Sequence, residues 1–78
     1  MKLPRGVSAS RLIRVLTSLG YQIVRQQGSH IRLRYAGPPA HFVTVPNHDP
    51  LKIGTLHNIV SDVAKAKARS TQSIITLL

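Results

Sequence analysis

The apolar positions of the chain fall into successive blocks of different period. Leu12, Ile13, Leu16 and Leu19 stand at i, i+1, i+4 and i+7, one stripe of a helix predicted over residues 9–19, with Arg11, Arg14 and Ser18 off the stripe. Ser8 is a good N-cap for it, and Gly20 follows where a left-handed residue commonly ends a helix. Residues 21–27 are rich in strand formers, but Ile23 and Val24 are adjacent and apolar, so the inward face of this strand is ambiguous. Residues 30–35 alternate cleanly: Ile31, Leu33 and Tyr35 point one way, His30, Arg32 and Arg34 the other. The turn between these two strands has either two or three residues, which leaves their register open.

Residues 36–40, Ala-Gly-Pro-Pro-Ala, read as a loop, and residues 41–45 as a third strand stopped by Pro46. A loop with two prolines, 46–50, leads to a second helix. It is predicted from Ile53 or Gly54 to Val63 or Lys65, with Leu56, Ile59, Val60 and Val63 as its apolar stripe. The small, basic stretch 64–69 either extends that helix or links onward. Ser70 or Thr71 can cap a short last helix to about Leu78, anchored by Ile74, Ile75, Leu77 and Leu78. No internal repeat is visible. Strands joined by short loops favour an antiparallel sheet, and helices with one apolar stripe must cover one of its faces. The expected fold class is therefore α+β: a two-layer α-β-β-β-α arrangement, a three-stranded antiparallel sheet with the helices on one face and a short extra C-terminal helix. The other sheet face is left open and basic.

A chain of 78 residues is expected to form a single domain, 1–78, with a thin margin of stability. It has no cysteine, which removes disulfides and thiolate metal sites and fits a cytoplasmic protein. No apolar run approaches the ~20 residues of a membrane span, and residues 1–5 lack the apolar core of a signal peptide. No membrane partner is expected. Charge changes the picture most. Eleven Lys and Arg face two acids, Asp49 and Asp62, for a net charge of +9. Such a surface calls for an anionic partner, nucleic acid first and an acidic protein second. With one Phe and two Tyr, stacking on an aromatic platform is not the expected main mode of binding.

The candidate chemistry centres on Gly28-Ser29-His30. The imidazole is the one side chain whose ordinary pKa lies near neutrality. Here it follows a turn and is surrounded at alternating positions by Arg25, Arg32 and Arg34. That is a place to hold a phosphodiester and move a proton beside it. Histidines 30, 41, 48 and 57 include no i,i+4 pair, and only two acids are present, so neither a metal site nor a cofactor is expected. Arg25, Arg32, Arg34 and Lys52 are candidate phosphate contacts rather than merely solvated charges, because the arginines alternate with core residues beside His30. Ser29 closes the turn or else orients His30, and it completes the expected RNA-binding set. His48 is the possible second acid/base, or else a residue that orders the 46–50 loop; His41 and His57 are expected to be surface or structural.

Leu3-Pro4, Ser8, Leu19-Gly20-Tyr21, Val24-Arg25-Gln26 running into Gly28-Ser29-His30, Val43-Thr44-Val45-Pro46-Asn47-His48, Leu51-Lys52 and Gly54-Thr55-Leu56 occur in an order and spacing that resembles the HicA-type (YcfA-like) mRNA interferase toxins of bacterial type II toxin–antitoxin modules. The chain departs from their pattern at Ile53, where the family often has Pro, and in its basic tail. The resemblance implies a fold like the double-stranded-RNA-binding domain, endonucleolytic cleavage of mRNA, and inhibition by a HicB-type antitoxin. The family's catalytic histidine falls on His30. The alternative from another class is a non-catalytic RNA-binding module of the same fold. A DNA-binding regulator would need a recognition helix, for which only Arg11 and Arg14 are on offer.

Overall fold

The computed structural model describes residues 2–78; Met1, the first residue of the expected extended lead-in, lies outside the described residues. Helix α1 (Ala9–Ser18) starts where its cap requires. The Ser8 hydroxyl accepts the Arg11 amide at 3.1 Å, satisfying one of the free N–H groups of the first turn. Its buried face is Ala9, Leu12, Val15 and Leu16, so the stripe is centred on Leu12 and Leu16, with Val15 buried and Ile13 only half-buried. The chain leaves α1 through Leu19 and Gly20. Gly20 has φ +99°, and a Cβ there would lie 3.1 Å from Tyr35 Cε1, so both the backbone and the neighbouring ring require glycine.

Strands β1 (Tyr21–Gln27), β2 (His30–Tyr35) and β3 (His41–Pro46) form one antiparallel sheet in the order β1-β2-β3. Pro46 is the last residue of β3 rather than the residue after it, a position open to proline at the end of an outer strand. Gln27 pairs directly with His30, which settles the turn as the two residues Gly28-Ser29. Gly28 has φ +57° and Ser29 has no positive φ, the pattern of a II′ turn with glycine at its first central position.

The ambiguity at Ile23 and Val24 is a β-bulge. Ile23 pairs with Leu33 and Arg25 with Arg32, leaving Val24 as the extra residue. Strict alternation from Tyr21 would turn Arg25 toward the helices. The inserted residue shifts the count by one and sends Arg25 to the open face.

Helix α2 (Ile53–Ala66) buries Leu56, Ile59, Val60, Val63 and Ala64. The 64–69 stretch thus divides: its first three residues are helical, and the helix ends through Lys67 and Ala68, the latter at φ +51°. Helix α3 (Thr71–Ile75) is capped by Ser70, whose hydroxyl accepts the Ser73 amide at 3.2 Å. It is shorter than expected. Ile74 is fully buried and Ile75 and Leu78 are half-buried against the core, but Leu77 points out, because the last turn sends only one side of the segment inward.

Helix α1 packs on β1 and β3, and α2 on β3, so the helical layer covers the face carrying Tyr21, Ile31, Leu33, Val43 and Val45. Each fully buried Leu, such as Leu12 or Leu33, contributes about 1.5–3 kcal/mol relative to exposure. One row of the sheet also carries polar chemistry. Tyr21, Tyr35 and His41 lie side by side across the three strands. The buried Tyr21 hydroxyl meets His41 Nδ1 at 2.6 Å. Burial, with smaller contributions from Tyr35 and Asp62, pushes the Tyr21 phenol up to about 12. The phenol keeps its proton, and the hydroxyl and His41 Nδ1 share one hydrogen bond.

Candidate active site

His30 is the first residue of β2, immediately after the turn, and its side chain is exposed on the sheet face away from the helices. The face is set by the strand period: Ile31 and Leu33 are pulled into the core, and His30, Arg32 and Arg34 are left outside. Arg25, Gln27, His30, Arg32 and Thr44 line an open cleft of about 140 Å³. Each strand contributes: Arg25 and Gln27 from β1, His30 and Arg32 from β2, Thr44 from β3. Arg32 donates to Thr44 Oγ1 at 3.2 Å, and its guanidinium lies over the Phe42 ring, 4.7 Å from the centroid. Its planar fork is therefore held in place before any ligand arrives.

Of the residues singled out in the sequence, Arg25, His30 and Arg32 are brought together. Arg34 is on the same face farther along β2, with its guanidinium 6.0 Å from the Phe42 ring. Ser29 serves the turn: its carbonyl accepts the Asn47 amide at 2.6 Å, which ties the hairpin tip to the loop after β3. His48 is exposed and outside the cleft lining; its carbonyl accepts the Ala9 amide at 2.9 Å, so its main chain anchors the start of α1. Lys52 is the N-cap residue of α2, also outside the cleft. His41 belongs to the Tyr21 pair, and His57 is exposed on α2. Gln27 and Thr44 were missed. Gln27 follows from a two-residue turn, which places it directly opposite His30, and Thr44 from the register across the 36–40 loop; neither is fixed by composition or periodicity alone.

The electrostatics are one-sided. Both acids lie off the cleft, Asp49 in the loop after β3 and Asp62 on α2 in the helical layer. Among the described residues no three of His, Asp and Glu come together as a set of metal ligands. A larger depression, about 430 Å³, opens on the helical layer between Arg11, Arg14, Val15, Ser18 and Leu77. It holds no side chain suited to proton transfer near neutrality, and its one hydroxyl, on Ser18, is bonded to the Val15 carbonyl at 2.6 Å. The cleft at His30 is the better chemical site: an imidazole flanked by two guanidinium groups on an open, unscreened face can hold a phosphodiester and move a proton beside it.

Among known proteins, the model of the family described as "HicA toxin of bacterial toxin-antitoxin" matches residues 9–67, which take in α1, all three strands and α2. No curated protein and no solved structure matches the chain. No helix is long and apolar enough to cross a membrane among the described residues.

Proposed function

The chain belongs to the HicA toxin family of bacterial toxin–antitoxin systems, and from that premise we propose that it is a metal-independent endoribonuclease that cleaves mRNA with His30 as general acid/base. The observation that carries this reading is the bulge at Val24, which adds Arg25 to the His30–Arg32 face and so builds a two-guanidinium cradle around one imidazole. Neutral His30 takes the proton from the 2′-OH; the resulting alkoxide attacks the adjacent phosphorus; Arg25 and Arg32 bear the charge of the phosphorane-like transition state; and the imidazolium returns a proton to the departing 5′-oxygen. The phosphodiester P–O bond is exchanged for a cyclic 2′,3′-phosphate, and no net proton is consumed. Arg34 and Lys52, outside the cleft, serve as flanking phosphate contacts, and Ser29 as the turn residue that sets His30 in place. Membership of a toxin–antitoxin family implies an antitoxin partner; its proposed identity is a HicB-type protein.

The test is His30→Ala. The side chain is exposed, so its loss opens no core cavity and should move stability by no more than about ±0.5 kcal/mol. The variant should fold, bind RNA and antitoxin, and lose cleavage by about 10²-fold or more. Wild-type protein should cleave in excess EDTA and leave cyclic or 3′-phosphate ends. A folded His30→Ala protein that cleaves at the wild-type rate removes His30 from the mechanism and moves the search to His48. Wild-type protein that binds RNA but never cuts it is a binding module instead.

A further inference from the structure

We propose that Phe42, with the guanidinium groups of Arg32 and Arg34, forms a stacking subsite for one unpaired base of an RNA strand whose scissile phosphate lies at His30. The subsite rests on the RNA-cleaving reading above.

Phe42 is the chain's one phenylalanine, and it is not used in the core. It is 44% exposed and directly opposite Arg34, on the same sheet face as His30. The other large exposed apolar residues have different surroundings: Ile23 and Val24 at the bulge of the outer strand, Ile53 in the first turn of α2, and Leu77 beyond α3. Among the described residues, only at Phe42 is a half-exposed ring flanked by two arginines on a face that also carries an imidazole. Arg32 joins the two places. Its guanidinium lines the cleft at His30 and also rests on the ring. The half-exposed ring and the planar guanidinium laid over it offer aromatic and cationic stacking surface at one place. That suits a base whose own phosphates are close by, since every base has a π-face and arginine adds a cation–π contribution. An acidic peptide would be served by the charges alone and would gain nothing from their being flattened against a ring.

From His30 to Arg34 along β2 is four residues, about 13 Å at the usual rise. A single strand with its reacting phosphate in the cleft would therefore present a base at Phe42 a few nucleotides to one side. The base must be splayed out, because bases in a paired A-form helix are already stacked on one another. The subsite senses that a base is present and not which base it is.

The experiment uses a single-stranded RNA oligonucleotide with one mapped cut and a series carrying a single abasic nucleotide at each position around that cut. Affinity is measured on the His30→Ala protein and cleavage on the protein with His30 intact. At one position a few nucleotides from the cut, the abasic nucleotide should weaken binding roughly 5- to 150-fold. Phe42→Ala added to either protein should weaken the unmodified RNA by a similar factor and erase the abasic effect at that position, and Phe42→Trp should retain both. A flat scan in an RNA that the protein does cut overturns the subsite alone. An equal loss on intact and abasic RNA in Phe42→Ala overturns stacking and leaves Phe42 as a residue that positions Arg32. Unchanged RNA binding with weakened antitoxin binding overturns it in favour of a protein contact. Wild-type protein that cuts no RNA overturns the endoribonuclease reading and the subsite with it.

Discussion

Tyr21→Phe removes one hydroxyl and isolates the polar row at the far end of the sheet. The lost hydrogen bond to His41 Nδ1 spans 2.6 Å, and its net worth is about 1 kcal/mol. His41 is only half-buried, so its ring can partly recover a water, and the total loss should be about 1–2 kcal/mol at pH 8. For a domain of this size that corresponds to a fall in Tm of roughly 6–12 °C. The alkaline limb carries the sharper signature. The phenol is pushed from its ordinary 10.0 to about 12 in the folded protein, so the unfolded state loses its proton first. Stability contributed by the neutral phenol is complete below pH 10 and is lost as pH rises toward 12. Phenylalanine has nothing to titrate. The wild type should therefore be the more stable protein at pH 8 and lose that advantage as pH approaches 12. Thermal melts followed by circular dichroism across this range measure the narrowing gap. Equal Tm values at pH 8 together with parallel alkaline limbs would refute both the hydrogen bond and the burial assigned to Tyr21. Tyr35, in the same row, is five residues along β2 from His30, about 17 Å, so cleavage per folded molecule should not change.

Gly20→Ala should lower stability by about 1–3 kcal/mol, because φ +99° and the Tyr35 ring both oppose a Cβ. Gly28→Ala, at φ +57° with nothing within 4 Å, carries the backbone penalty of a positive φ alone, about 1–3 kcal/mol, and should be the milder change; denaturation midpoints compare the two, and the reverse order would contradict the geometry. Arg25→Ala should leave the fold intact and flatten the dependence of log K on log salt by about 0.7 for one lost single-strand phosphate contact; an unchanged slope would take Arg25 out of the RNA interface.

The parts of this fold legible in the sequence are those governed by one period and one face. The β2 alternation placed Ile31 and Leu33 inside and His30, Arg32 and Arg34 outside, and Leu56, Ile59, Val60 and Val63 marked the buried side of α2. What was not legible depends on pairing between elements. The extra residue at Val24 exists only relative to Leu33 and Arg32 across the ladder, so adjacent apolar residues at 23 and 24 signal trouble without naming its kind. The length of the turn decides whether Gln27 faces His30, and Gly-Ser suits a turn of two or three residues. Leu77 was expected inside because it is apolar, but in a segment this short Ile74 alone takes the deep position. His41 shows the same limit: its partner Tyr21 is twenty residues away in sequence, and only the register of three strands puts them in one row.

The turn that carries His30 is held from outside by main-chain groups. The Asn47 amide donates to the Ser29 carbonyl, the Ala9 amide to the His48 carbonyl, and the Leu51 amide to the Val7 carbonyl, so the 47–51 segment straps the hairpin tip to the start of α1 and its lead-in. No side chain takes part in these three ties. The side chains of Asn47, His48 and Asp49 are exposed and outside the cleft lining, so exchanging them leaves the strap intact. Only proline at one of the donating positions would cut the strap directly, since it has no N–H to give. The position of the His30 imidazole is thereby entrusted to the backbone, and sequence change at the 47–49 surface is separated from the placement of the hairpin tip.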